Sequence, residues 1–293
     1  MDKYFGKNWQ ENVSLKDYTT FKVGGLARYF IKVKSEDELL EAIENAQAID
    51  CPVFILGGGS NLLVSDKGFS GLVIQMDIEF IKWEDQKIHV GAGTALNKLV
   101  IESVKRGLSG FEWEAVIPGT IGGAICGNAG TPEHNIGHLV EEVRFFDCDK
   151  MDFKSYVNDE CNFEYRDSIF RHQGDKVITS VVLSQHHGDA EIVLNNLRDL
   201  IRKKVATQPR SYPSAGCIFK NPEGQSAGAL IDQAGFKGRR IGNAQISEKH
   251  ANFIVNLGGA KSEEIIALIE LIKSCIHREF GLNLTEEIIY LPR

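Results

Sequence analysis

The chain has 293 residues, 43% hydrophobic and 25% charged, the balance of a soluble globular protein long enough for two or three domains. With 33 basic against 40 acidic residues its net charge is −7, which excludes bulk nucleic-acid binding. No run approaches the ~18 apolar residues of a membrane span, and six scattered cysteines without a C-x-x-C pair exclude a disulfide framework or a zinc site.

In chain order, the opening Met-Asp-Lys-Tyr-Phe-Gly-Lys-Asn carries no apolar run, so no signal peptide is expected and the thiols point to a reducing cytoplasm. Ser35-Glu-Asp-Glu38 is a capping box, and Leu39, Leu40, Ile43 and Ala46 follow at helical spacing up to Pro52. Val53-Phe-Ile-Leu56 is a short strand running into Gly57-Gly-Gly-Ser-Asn61, and residues 72–76 and 87–90 are further strands. Thr94 is placed to cap a helix through Arg106 that Gly107 stops. In 118–130, five of thirteen residues are glycine, a density that no regular helix or strand favours. Strands follow at 140–147 and 177–183. A helix from 189 to about 205 puts Val193, Leu197, Leu200 and Ile201 on one face and stops before Pro209. Residues 226–233 predict a short helix ended by Gly235, 240–246 and 252–257 strands, and Ser262 caps a helix ended by Gly281. Residues 282–291 are strand-like. The breaks divide the chain into 1–80, 81–190 and 191–293.

Three glycine clusters compete as phosphate cradles. Gly91-Ala-Gly93 begins like G-x-G-x-x-G, but Leu96 holds the last glycine position, and the cluster reads as a packed turn. No G-x-x-x-x-G-K-[ST] occurs, which excludes a P-loop. Gly57-Gly58-Gly59 leaves backbone N–H groups to face an anion, with Ser60 and Asn61 as side-chain donors. Gly119-Thr120-Ile121-Gly122-Gly123 makes a second such surface. Two such loops could clamp one pyrophosphate, as in a dinucleotide held without a Rossmann fingerprint; the alternative at Gly57-Gly58-Gly59 is a tight strand-to-loop turn, which seldom needs three glycines. Residues 191–293 carry 14 basic against 11 acidic residues, whereas 1–190 carry 19 against 29, so an anionic ligand is better received by the last third. There, between two prolines, stands Gly216-Cys217-Ile-Phe-Lys220-Asn221, either a site at a strand mouth or a turn holding a buried thiol.

Thr20-Phe-Lys-Val-Gly-Gly25, Gly57-Gly-Gly-Ser-Asn-Leu-Leu63, Pro118-Gly-Thr-Ile-Gly-Gly-Ala124 with Gly127-Asn128-Ala-Gly130, Tyr165-Arg-Asp-Ser-Ile-Phe170, Gly216-Cys-Ile-Phe-Lys-Asn-Pro222, Lys249-His-Ala-Asn252 and Leu284-Thr-Glu-Glu-Ile288 occur in order over nearly the whole chain. Together they resemble the UDP-N-acetylenolpyruvoylglucosamine reductase (MurB) family. The resemblance implies an α+β fold: a two-part FAD-binding domain of the vanillyl-alcohol-oxidase/PCMH type and a C-terminal α+β substrate-binding domain. It implies bound FAD, NADPH as co-substrate, a UDP-sugar substrate, a cytoplasmic monomer, and the shorter subgroup without a tyrosine-bearing insertion. Gly57 to Asn61, Gly119 to Gly123, Gly127 and Asn128 are then the expected cofactor-binding residues. Another FAD oxidoreductase of the same fold acting on a sugar acid, and a non-catalytic flavin-binding protein, are the alternatives.

The implied chemistry adds hydride to an enol ether, which spreads negative charge onto the neighbouring carboxylate and requires a proton donor. Arg166 matches the family's catalytic arginine, and a guanidinium can grip a carboxylate through two hydrogen bonds. A surface ion pair with Asp167 is its alternative. Cys217 stands where the family more often has the serine that gives the proton. A thiol, with an ordinary pKa near ~8.5, is mostly protonated at neutral pH and can take that part. A nucleophilic Cys217 with His250 as base is the competing chemistry. Glu287 matches the family's catalytic glutamate, and Glu286, where many relatives have proline, is the fallback. Asn221 and His250 are implied substrate contacts, and Lys203, Lys204, Arg210 and Lys220 are candidates for the diphosphate. Thr131-Pro-Glu-His-Asn-Ile-Gly137 departs from the usual Ala-Tyr-Gly at the lip of the flavin site.

Overall fold

The computed structural model describes residues 8–131, 134–172 and 174–292. The opening segment 1–7, and Pro132 and Glu133 of the divergent loop, lie outside the described residues. The fold is α+β, and the chain divides into two compact units. One is built from Met1–Gln10, Phe30–Gly58 and Gly71–Lys204, the other from Glu11–Tyr29, Gly59–Ser70 and Val205–Arg293.

The first unit is organised by a five-stranded antiparallel sheet ordered Asp152–Val157, Val140–Asp147, Lys176–Ser184, Lys87–Gly91, Ile81–Trp83. The apolar runs at 140–147 and 177–183 form its centre, as their buried Val143, Phe145, Val181 and Leu183 require. The strand Asp152–Val157 escaped the sequence pattern because it is an edge strand, largely wet on both faces. The helix Glu36–Gln47 starts where the capping box puts it: Glu38 N–H donates to Ser35 Oγ at 3.1 Å and the Glu38 carboxylate accepts from Lys34 N–H at 2.6 Å. Val53–Leu56 pairs in parallel with Phe69–Met76.

Two expectations fail here for tertiary reasons. Thr94 does not cap the helix Leu96–Lys105; it is fully buried, and its hydroxyl donates to Phe80 O and accepts from Phe80 N–H. The glycine-dense segment does contain a helix, Ile121–Cys126, because Gly122 lets it lie on Ala92, whose Cβ would be 3.1 Å from any Cβ there. The helix Ala190–Thr207 buries Val193 and half-buries Leu197 and Leu200, but Ile201 is exposed.

The second unit packs the helices Ala227–Gln233 and Ser262–Phe280 on a three-stranded antiparallel sheet and a core that includes Phe219, Phe236, Leu268 and Ile272. The expected strand over 240–246 is a tight hairpin, Arg240–Ile241 and Ala244–Ile246, reversed at Gly242 with φ +54. Lys261, not Ser262, occupies the cap of the last helix; the Ser262 hydroxyl and N–H both donate to Asp66 Oδ2. That helix ends at Gly281, φ +69, as its glycine predicts. Within 282–291 only Ile289–Leu291 is a regular strand, parallel to Leu62–Val64. Among the described residues no helix is long and apolar enough to cross a membrane.

Candidate active site

In the first unit the two glycine loops meet. A Cβ on Gly58 would lie 2.8 Å from Gly119 Cα, and one on Gly57 would lie 2.7 Å from Thr120 Oγ1. Only glycine permits this approach. Thr120 Oγ1 is buried with no hydrogen-bond partner among the described residues, which leaves a polar atom in the cradle for a ligand to satisfy. The donors of the next two residues are spent: Ile121 N–H goes to Thr94 O at 2.9 Å and Gly122 N–H to Ala92 O at 2.9 Å. The cradle therefore centres on Gly57, Gly58, Gly119 and Thr120, and its close glycine approach and the Thr120 hydroxyl fit an anionic group such as a dinucleotide pyrophosphate. Gly91 and Gly93 are a packed turn, pressed on the backbone of Ile78.

Arg166 sits at the tip of a four-residue turn closed by Glu164 and Asp167, which exchange N–H···O bonds of 3.1 and 3.2 Å. Its φ of +56 is a conformation an arginine adopts at a cost of roughly 1–3 kcal/mol, and such strain gathers at functional positions. Asn128, itself at φ +40 and buried, ties this turn to the end of the Ile121–Cys126 helix: its amide donates to Glu164 O at 2.8 Å and accepts from Gly137 N–H at 3.0 Å. The expected cofactor contact thus holds the arginine turn. Ser168 Oγ adds a bond to Cys126 O at 2.8 Å. The Asp167 carboxylate is engaged by His172 at 2.7 Å and by Ser168 N–H.

In the second unit Cys217 and Glu287 come together on paired backbone. Lys220 N–H donates to Thr285 O, and Glu287 N–H to Ile218 O, both at 2.8 Å, with Phe219 bridged to Glu286. On the other side Cys217 is bridged to Phe253. The side-chain amide of Asn252 receives Phe219 N–H at 2.9 Å and donates to Phe219 O at 2.8 Å, replacing a missing strand partner inside the core. None of the six cysteines is in a disulfide.

Adjacent residues on an extended segment point to opposite sides. Glu286 follows the phase of buried Leu284 and Ile288; its carboxylate pairs with Lys273 at 2.8 Å and raises the Tyr290 hydroxyl after burial has done most. Glu287 has the opposite phase. Its carbonyl accepts from the Asn61 amide at 3.0 Å, and Asn61 O accepts from Ile289 N–H, so Asn61 braces this segment.

Asn221 Oδ1 accepts from Ala227 N–H at 3.0 Å at the start of a helix. His250 stacks edge-on with Phe253, and Gly228 opens the room for its ring. Burial, helped by Lys237, pushes its pKa down, and its Nδ1 is buried without a hydrogen-bond partner among the described residues. A neutral imidazole makes a poor counter-ion for a thiolate. Lys220 is half-buried and Arg210 exposed. The bracing of Asn252, Asn61 and Lys273 escaped sequence reading because each spans 13 residues or more; no local pattern signals it.

A family model for an FAD binding domain matches residues 27–150, and one for the UDP-N-acetylenolpyruvoylglucosamine reductase C-terminal domain matches 208–291. The chain is 39% identical over 277 residues to UDP-N-acetylenolpyruvoylglucosamine reductase 2 of Symbiobacterium thermophilum, covering 94% of this chain and 89% of the relative. It is 38% identical to the reductase of Chlamydia muridarum over 100% of this chain and 97% of that one. The crystal structure of the Thermus caldophilus reductase superposes with a TM-score of 0.83 at 38% identity, covering 97% of this chain and 99% of that one.

Proposed function

The chain belongs to the UDP-N-acetylenolpyruvoylglucosamine reductase family, and on that premise we propose that it reduces UDP-N-acetylenolpyruvoylglucosamine to UDP-N-acetylmuramate for peptidoglycan synthesis in the cytoplasm, with FAD bound and NADPH as co-substrate. FAD, when bound, supplies hydride-transfer chemistry. Gly57, Gly58, Gly119 and Thr120 would hold its diphosphate, for which the support is the buried Thr120 hydroxyl, without a hydrogen-bond partner among the described residues. Residues 1–80 and 81–190 are read as the flavin-binding parts and 191–293 as the substrate-binding part.

Each residue has its own task. Arg166 grips the substrate carboxylate and takes up the charge that hydride addition spreads onto it. The Cys217 thiol gives its proton to the α-carbon and is left as thiolate, to be reprotonated from solvent. Glu287 stabilises the enol form. His250, held neutral, and Asn221 orient the sugar, and Arg210 and Lys220 balance the diphosphate. The observation that carries this reading is the pairing of the two segments: Glu287 N–H donates to Ile218 O, next to Cys217, and Glu287 has the opposite phase to Glu286, whose carboxylate pairs with Lys273.

The test is an absorbance spectrum of the purified protein followed by NADPH oxidation with and without the enolpyruvyl sugar. A yellow protein whose NADPH oxidation depends on that sugar is expected. A colourless protein that takes up no FAD overturns the reading; flavin without sugar-dependent oxidation points instead to a non-catalytic flavin protein.

A further inference from the structure

Glu112 and Glu114 share one short 3-10 helix, and both are buried. Glu112 has a local partner, since its carboxylate accepts Gly110 N–H at 2.7 Å. Glu114 is 2% exposed, and its Oε2 is buried with no hydrogen-bond partner among the described residues. A buried carboxyl oxygen without a hydrogen-bond partner is costly and calls for an account. The charged groups that act on it are Lys204, from the helix Ala190–Thr207, and Arg166, at the tip of its strained turn. The helix Leu96–Lys105 also packs against this segment. Its charged residues are engaged elsewhere: Lys98 with Glu79, and Glu102 with Lys105 and Arg106. Neighbouring Trp113 stacks on His134 at 4.0 Å.

We propose that Glu114 is a positioning residue whose protonation sets how much of the Arg166 charge is offered to an anionic ligand. The inference rests on the role given to Arg166 above. Protonated, Glu114 leaves the guanidinium charge whole; ionised, it neutralises part of that charge from within the protein. Burial pushes its pKa up to about 8 against the pull of both cations, so the group changes state on the alkaline side of neutrality. A ligand carboxylate on Arg166 and a charge on Glu114 disfavour each other, and each must weaken the other equally. Ionisation of Glu114 therefore weakens carboxylate binding and leaves binding of a ligand without that carboxylate unchanged.

The experiment is calorimetric titration of the FAD-loaded protein with UDP-N-acetylmuramate and, separately, with UDP, from pH 6.5 to 9.5. In the wild type, affinity for UDP-N-acetylmuramate should fall by roughly tenfold between pH 7 and 9.5, while affinity for UDP stays level. In E114Q and in E114L the fall should vanish, with wild-type affinity retained at pH 7. An unchanged alkaline fall in the variants, or a flat wild-type profile, overturns the inference. Wild-type protein that does not bind UDP-N-acetylmuramate at pH 7 overturns the functional reading itself. Should neither variant fold, carbon-13 NMR of glutamate-labelled wild type decides: a carboxyl titrating near pH 8 and moving upward on ligand addition supports the inference, and its absence refutes it.

Discussion

A thiol can serve as the acid at position 217 because it holds its proton at neutral pH and leaves a stable anion behind. The buried, neutral His250 supports this over a thiolate–imidazolium pair. Cys217→Ala should leave NADPH-driven flavin bleaching near its wild-type rate and slow reoxidation by the enolpyruvyl sugar by about 10²–10⁴-fold; stopped-flow absorbance separates the two. Equal loss in both half-reactions would refute the proton-donor role. Cys217→Ser should keep substantial turnover, and the reoxidation step of the wild type should fall with rising pH more steeply than that of the serine variant. The neighbouring glutamates make a second contrast. Glu287→Gln should cut turnover by roughly 10²-fold or more. Glu286→Gln breaks a partly exposed pair with Lys273, should cost about 1 kcal/mol or less, and should keep turnover. The opposite pattern would assign the role to Glu286.

The site is positioned at the next scale by short, paired segments that no single regular element supplies. Phe219 lies between Glu286 and the side chain of Asn252, so one amide stands in for a strand. Asn252→Ala removes both bonds and leaves a buried N–H and C=O unpaired, which should cost about 2–4 kcal/mol in urea unfolding and disturb the Cys217 strand. A loss near zero would show that water or a shifted backbone replaces the clamp. Sequence reading served well where an element is set by its own residues: the capping box at Ser35, the runs at Val53–Leu56 and Val140–Asp147, and the glycine stop at Gly281. It failed at Thr94 and Ser262, which have the chemistry of helix caps but spend their hydroxyls on Phe80 and Asp66. A cap preference worth about 1 kcal/mol gives way where burial demands a different partner.

For the whole molecule, Glu114 links stability to pH. Its folded-state pKa is raised from 4.5 to about 8. Below 4.5 both folded and unfolded chains hold the proton, and the group makes no difference. Between 4.5 and 8 the unfolded chain sheds the proton while the folded chain keeps it, so stability falls across that window and levels off above it. The apparent melting temperature of Glu114→Gln should therefore exceed that of the wild type by a margin that grows from pH 5 to 8 and then holds. A margin constant over that range would contradict a buried neutral acid. The ordered run of glycine, arginine, thiol and glutamate motifs by itself determined the family, because that is a matter of residue type and order. Only the tertiary structure decided which glutamate is claimed by Lys273, that Asn61, Asn128 and Asn252 brace backbone, and that Glu114 lies buried in the field of Arg166. These depend on partners distant along the chain and on exclusion from water, and local sequence encodes neither.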